Sequence, residues 1–147
     1  MKSSKIYAVL TMFLLLGTAA FAQPKVNQGP QIEFEKSIHD YGDIPYDGDG
    51  VCTFVFTNTG NAPLIITDAK KSCGCTVPSW PKEPIAPGQS AEIKVKYDTK
   101  RSGMINKSVS VISNAVNEPT SVLRIKGRVG VKDAAGVPVN KVAVPTK

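Results

Sequence analysis

Apolar and polar residues alternate with a period of two along much of the chain, and turn residues break the alternation at short intervals. Cys52, Phe54 and Phe56 are interleaved with Thr53, Val55 and Thr57, and Asn58-Thr59-Gly60-Asn61 follows as a turn. Ala91, Ile93, Val95 and Tyr97 alternate with Glu92, Lys94, Lys96 and Asp98 directly after Pro87-Gly88. Successive side chains of a strand point to opposite faces, so such runs bury one face and wet the other. Ile32 and Phe34 predict a first strand, and Leu64 and Ile66 lead a third segment. Cys75-Thr76-Val77 is a short fourth run. Ile105 to Val111 predicts a further strand with Val109 and Val111 inward. Leu123, Ile125 and Val129 predict the last, with Arg124, Lys126 and Arg128 on the wet face. No stretch beyond residue 22 sustains the i, i+3, i+4, i+7 spacing of a helix, and the prolines and glycines fall mainly between strands. About seven short antiparallel strands at this spacing predict an all-β domain, a β-sandwich or small barrel.

The two ends of the chain depart from this pattern. Residues 1–22 combine Lys2 and Lys5, an uncharged apolar run from Ile6 to Leu16, and the small-x-small site Ala20-Phe21-Ala22. That is the layout of a secretory signal peptide, cleaved between Ala22 and Gln23. The apolar core is shorter than the roughly 20 residues of a spanning helix. Residues 23–30, with two prolines and a glycine, read as a flexible lead-in to a domain at 31–130. Residues 131–147 lack aromatics and read as a C-terminal tail, or as an extra edge strand from Val137 to Val144.

Charge narrows the partners. Lysine and arginine number 18 against 12 acidic residues, and loss of Lys2 and Lys5 leaves 16 against 12, or +4. No dense basic run is present to grip a phosphate backbone, so nucleic acid is not expected as a partner. The stripe Arg124, Lys126 and Arg128 is read as solvated sheet surface. After signal removal no membrane span is expected. The 147 residues fit one domain.

The unusual chemistry lies in Ser72-Cys73-Gly74-Cys75-Thr76. In an extended segment Cys73 and Cys75 share a face, with Cα atoms about 6.6–7 Å apart. A disulfide rarely spans more than about 6.8 Å, so closure needs a bend at Gly74, and the small ring would make a labile bond. Three readings stay open: structural cysteines, either one or both as half-buried packing residues or one of them pairing with Cys52; a redox dithiol, with Lys70 and Lys71 upstream to lower a thiol pKa; or a pair of thiolates for monovalent copper. With three cysteines, at least one stays unpaired within a monomer. C-x-C spacing does not fit structural zinc motifs. Cys52, beside Phe54 and Phe56, reads as a small buried hydrophobe.

The single histidine, His39, excludes multi-histidine metal sites. It adjoins Asp40, but neighbouring strand residues face opposite ways, so it reads as a surface or turn histidine. No G-x-S-x-G, H-E-x-x-H or glycine-rich phosphate loop is present, and no catalytic residue or cofactor is expected.

His39-Asp40-Tyr41-Gly42-Asp43-Ile44, Phe54-Val55-Phe56-Thr57-Asn58-Thr59-Gly60, Ala62-Pro63-Leu64, Ser72 to Pro78, Ile85-Ala86-Pro87-Gly88, Tyr97-Asp98-Thr99, Ser113-Asn114 and Lys126-Gly127 resemble a bacterial secreted family, the domain of unknown function 1573. The resemblance covers about residues 32–130. That family is similar to the immunoglobulin-like domains of the ASH, major sperm protein and PapD-like group. The resemblance implies a single immunoglobulin-like β-sandwich, export to the periplasm or beyond, and a non-enzymatic role in protein interaction or structure with a protein partner it does not name. The alternative is a thiol redox or copper-binding protein acting through Cys73 and Cys75.

Overall fold

Phe54, Phe56, Ile93, Val95, Leu123 and Ile125, the inward members of three alternating runs, meet in one core, each at most 1% exposed. The computed structural model describes residues 28–132 and 138–139. Two four-stranded sheets enclose the core. In the first, β1 (Ile32–Phe34), β3 (Val51–Asn58), β6 (Ser90–Tyr97) and β5 (Thr76–Ser79) lie in that order, all antiparallel. In the second, β2 (Ile38–Ile44), β8 (Thr120–Val129), β7 (Gly103–Ser113) and β4 (Ile66–Lys71) lie in order. The fold is the all-β sandwich anticipated from the alternation. On β8, Leu123, Ile125 and Val129 are buried while Arg124, Lys126 and Arg128 are exposed, and on β7 Val109 and Val111 point inward.

The two sheets hold eight strands, in keeping with the expected number of about seven, and Ile38–Ile44 is the one that the alternation did not reveal. One expectation needs correction: the strands are not all antiparallel, since β2 runs parallel to β8. The short link from β1 crosses from one sheet to the other, so β2 arrives alongside β8 running in the same direction. The pairing slips between Asp40 and Asp43. Opposite the slip, Gly127 holds φ at +147°, and a Cβ there would lie 2.8 Å from the Gly42 carbonyl oxygen and 2.9 Å from Tyr41 Cβ. Only glycine lets β2 cross β8 this closely.

The domain boundary also moves. Gly29 donates its N–H to Asn61 Oδ1 at 2.7 Å, and Val116 donates to the Pro30 carbonyl at 2.9 Å. Gly29 and Pro30 therefore belong to the folded body and not to a loose lead-in. The signal peptide, the Ala22–Gln23 junction and the lead-in through residue 27 lie outside the described residues. Toward the other end, β9 (Val131–Lys132) and β10 (Pro138–Val139) pair with each other as a two-stranded antiparallel ribbon, not with either sheet. The rest of the proposed tail or edge strand, including Val137 and Val144, lies outside the described residues.

Candidate functional site

The Cys73-Gly74-Cys75 turn sits where the chain leaves β4, an edge of the second sheet, and enters β5, an edge of the first. Ser72 prolongs the β4–β7 pairing: its N–H donates to the Ser108 carbonyl at 3.0 Å, and its Oγ accepts the Ser108 N–H at 3.0 Å. The chain then bends, and a disulfide joins Cys73 to Cys75 across a Cα separation of 5.2 Å. The segment is thus not extended here, and β5 begins only at Thr76. The Thr76 hydroxyl lies 3.4 Å from Cys73 Sγ and 3.8 Å from Cys75 Sγ. The Asp98 N–H donates to the Cys75 carbonyl at 2.9 Å, tying the turn to the end of β6. Cys75 is buried, Cys73 half-buried and Gly74 exposed, so solvent meets the bond from the Cys73 side.

This arrangement bears on each sequence reading. With Cys73 bonded to Cys75, Cys52 is not a disulfide partner and stays a free thiol. Two sulfurs bonded to one another offer no thiolate pair, so copper ligation applies only to a reduced form. Among the described residues, no group of three or more His, Cys, Asp and Glu side chains is placed to hold a metal ion. Lys70 and Lys71 are exposed on β4.

A second cluster forms under β2. Cys52 is 4% exposed, and burial pushes its thiol pKa up while contact with the Tyr41 hydroxyl and the charge of Lys36 oppose the rise. Burial, and the Cys52 side chain next, push the Tyr41 phenol up. His39 is half-buried, which corrects its reading as a surface or turn histidine. Its ring lies edge-on to Tyr41 at 4.5 Å and to Phe54 at 6.5 Å between centroids. Burial and then Lys36 lower its pKa, with Asp40 opposing. Asp40 faces outward as anticipated and pairs with Lys126 at 3.2 Å. The Gly42 N–H and then Lys126 hold its carboxyl below the usual value.

The sheet edges carry features that the sequence reading did not single out. Ile38 on edge strand β2 is 50% exposed and Val77 on edge strand β5 is 57% exposed. Val77 lies in the short fourth run, but nothing in the alternation marks that run as an edge.

Eight strands in two facing sheets with outward edges define an immunoglobulin-like β-sandwich. The ASH / PapD-like domain of human CEP192 (PapD-like domain 7) superposes with a TM-score of 0.58, covering 78% of this chain and 96% of that one at 8% identity. The family described as "Protein of unknown function (DUF1573)" matches residues 32–129, and the chain belongs to it. A protein of unknown function from Porphyromonas gingivalis W83 superposes with a TM-score of 0.59 at 19% identity, over 74% of this chain and 51% of that one. The VesB protease of Vibrio cholerae gives 0.57 at 19% identity, over 67% of this chain and 32% of that one. This chain therefore spans about half the length of the first protein and about a third of the second. Likeness at such identities shows the fold alone. No curated protein matches the chain.

Proposed function

We propose that this protein is an exported, non-enzymatic interaction module that binds a protein partner in the periplasm or outside the cell. The observation that carries this reading is the pair of edge strands, β2 and β5, each displaying a large apolar side chain beside an outward backbone edge. Edges of that kind accept an added strand, the backbone supplying affinity and the side chains specificity. Likeness to a PapD-like domain supports an interaction role by analogy. The layout of residues 1–22 supports export, and a disulfide at Cys73–Cys75 agrees with an oxidising compartment.

The test places a photo-crosslinking amino acid at position 38 or 77 of the full chain in the producing bacterium, with the exposed position 94 as control. A discrete adduct from an edge position, absent from the control, is the expected result. Adducts from none of the three positions would overturn the reading. Intact mass of the exported protein should begin at Gln23, and a chain retaining Met1 would contradict processing.

A second reading, thiol exchange at Cys73–Cys75, is favoured by one observation: solvent reaches the bond from the Cys73 side. A reduction potential well above the roughly −300 mV typical of structural disulfides would support it. A potential at or below that value would assign the bond to holding the corner.

A further inference from the structure

β1 is the outermost strand of its sheet, and its register with β3 decides where its backbone points. The Thr59 N–H donates to the Gln31 carbonyl at 3.1 Å, and the Glu35 N–H donates to the Val55 carbonyl at 3.1 Å. Odd positions of this strand therefore face β3, and the groups of Ile32 and Phe34 face outward. At Ile32 the Asn117 side-chain amide satisfies both: the Ile32 N–H donates to Oδ1 at 3.0 Å, and Nδ2 donates to the Ile32 carbonyl at 2.8 Å. Phe34 has no comparable cap among the described residues.

Across the seam, β8 extends past the start of β2. The Ser113 N–H donates to the Pro119 carbonyl at 3.0 Å, which sets odd positions of β8 toward β7. The Arg124 N–H donates to the Ser37 carbonyl at 2.8 Å, where pairing with β2 begins. Val122, two residues earlier, turns its N–H and C=O to the same side, beyond the reach of β2. Phe34 and Val122 thus present backbone groups into one cleft between the sheets, with a volume of about 500 Å³. That size lies within the usual range of ligand pockets, about 300–1,000 Å³.

Two further observations point to an occupant. Ser121 lines the cleft, is 3% exposed, and its solvent-shielded hydroxyl has no hydrogen-bond partner. Buried polar groups are normally satisfied, so an unpaired hydroxyl at a cleft marks a bond that a ligand would complete. The rim carries Glu33, Glu35 and Glu118 against Lys36, an acidic surface on a chain whose net charge is +6.

We propose that this cleft binds an extended, basic peptide segment of a partner protein, paired through its backbone with Phe34 and Val122 and hydrogen-bonded to Ser121. The proposal rests on the interaction-module reading and assigns it a site and a partner chemistry. Backbone pairing supplies an extended ligand with affinity that is indifferent to side-chain identity, and the acidic rim selects its charge.

The test titrates isotope-labelled protein with two heptapeptides, one alternating valine with lysine and one alternating valine with glutamate. The lysine peptide should shift and protect the Phe34 and Val122 amides, and bind about tenfold more tightly than the glutamate peptide at low salt. Glu35→Lys with Glu118→Lys, both at exposed positions, should invert that preference. Val122→Pro removes an N–H that the β7 ladder does not use, and should weaken the lysine peptide several-fold. Ser121→Ala should weaken it about fivefold. Absence of shifts at Phe34 and Val122, or equal binding of both peptides unmoved by charge reversal, would overturn the proposal. Shifts confined to β5 around Val77 would also overturn this site while leaving the interaction-module reading standing. Failure of that reading shows instead in the crosslinking experiment.

Discussion

The phenol of Tyr41 donates a 2.7 Å hydrogen bond to the carbonyl of Gly50, which also accepts the N–H of Tyr97 at 2.8 Å. Tyr41 lies in β2 of the second sheet, and Gly50 precedes β3 of the first. The bond therefore spans the sandwich at the point where β2 slips against β8. Tyr41→Phe keeps the ring and leaves the Gly50 carbonyl its bond to Tyr97. Urea unfolding should show a loss of about 0.5–1.5 kcal/mol, the usual net value of one such bond. A loss of several times that would mean that the hydroxyl organises more of the cluster than this single contact.

Asn58 ends β3 with its side chain fully buried. Its Nδ2 donates to the carbonyls of Ala62 at 2.8 Å and Ile85 at 2.9 Å, while its Oδ1 accepts from Gly60 at 3.0 Å. Asn58→Asp would set an acceptor, and a buried charge, against two carbonyl oxygens. We expect a loss of at least about 3 kcal/mol in the same assay, because a carboxylate would be buried facing two carbonyl oxygens, although the Ile85 carbonyl keeps its bond from the Leu64 N–H. Wild-type-like stability would show that the side chain is not held as described.

Thiol accounting separates the cysteines. Native protein without reductant should present one titratable thiol, Cys52, reacting slowly because it is buried and its pKa is raised. Denaturant should make that one thiol react fast, and reductant should bring the count to three. Rapid reaction of more than one thiol in the native, unreduced protein would contradict the Cys73–Cys75 bond.

His39 should make stability depend on pH. Folding lowers its pKa from 6.5, through burial and Lys36, so the unfolded chain holds the proton more tightly. Stability is then level above about 6.5 and falls as pH drops through that value toward the lower folded one. Asp40 is lowered from 3.8, so its own loss lies at more acid pH. The urea midpoint should fall between pH 8 and pH 5, and His39→Phe should flatten that fall. An undiminished slope in the variant would assign the dependence to other groups.

The strands legible in the sequence are those whose two faces meet different environments. β3, β6 and β8 each set residues such as Phe54, Val95 and Ile125 against the core and Thr53, Lys94 or Arg124 against water, and this contrast is a local property of the chain. β2 was not legible, because its inward side chains are His39 and Tyr41, its pairing slips after Asp40, and its partner β8 lies some 85 residues away in sequence. The same distinction holds for the candidate sites. The C-x-C motif announced two neighbouring sulfurs, since residues two apart are close in any conformation. That their turn joins the edges of two sheets, and that only the Cys73 side meets solvent, depends on where β4 and β5 pack. Ser121 and Glu118 carry no motif at all. They form a cleft with Phe34 because β1 and the start of β8 lie on the same side of the seam. Local alternation determined which residues would be buried, whereas pairing between distant strands decided which backbone groups stayed unpaired.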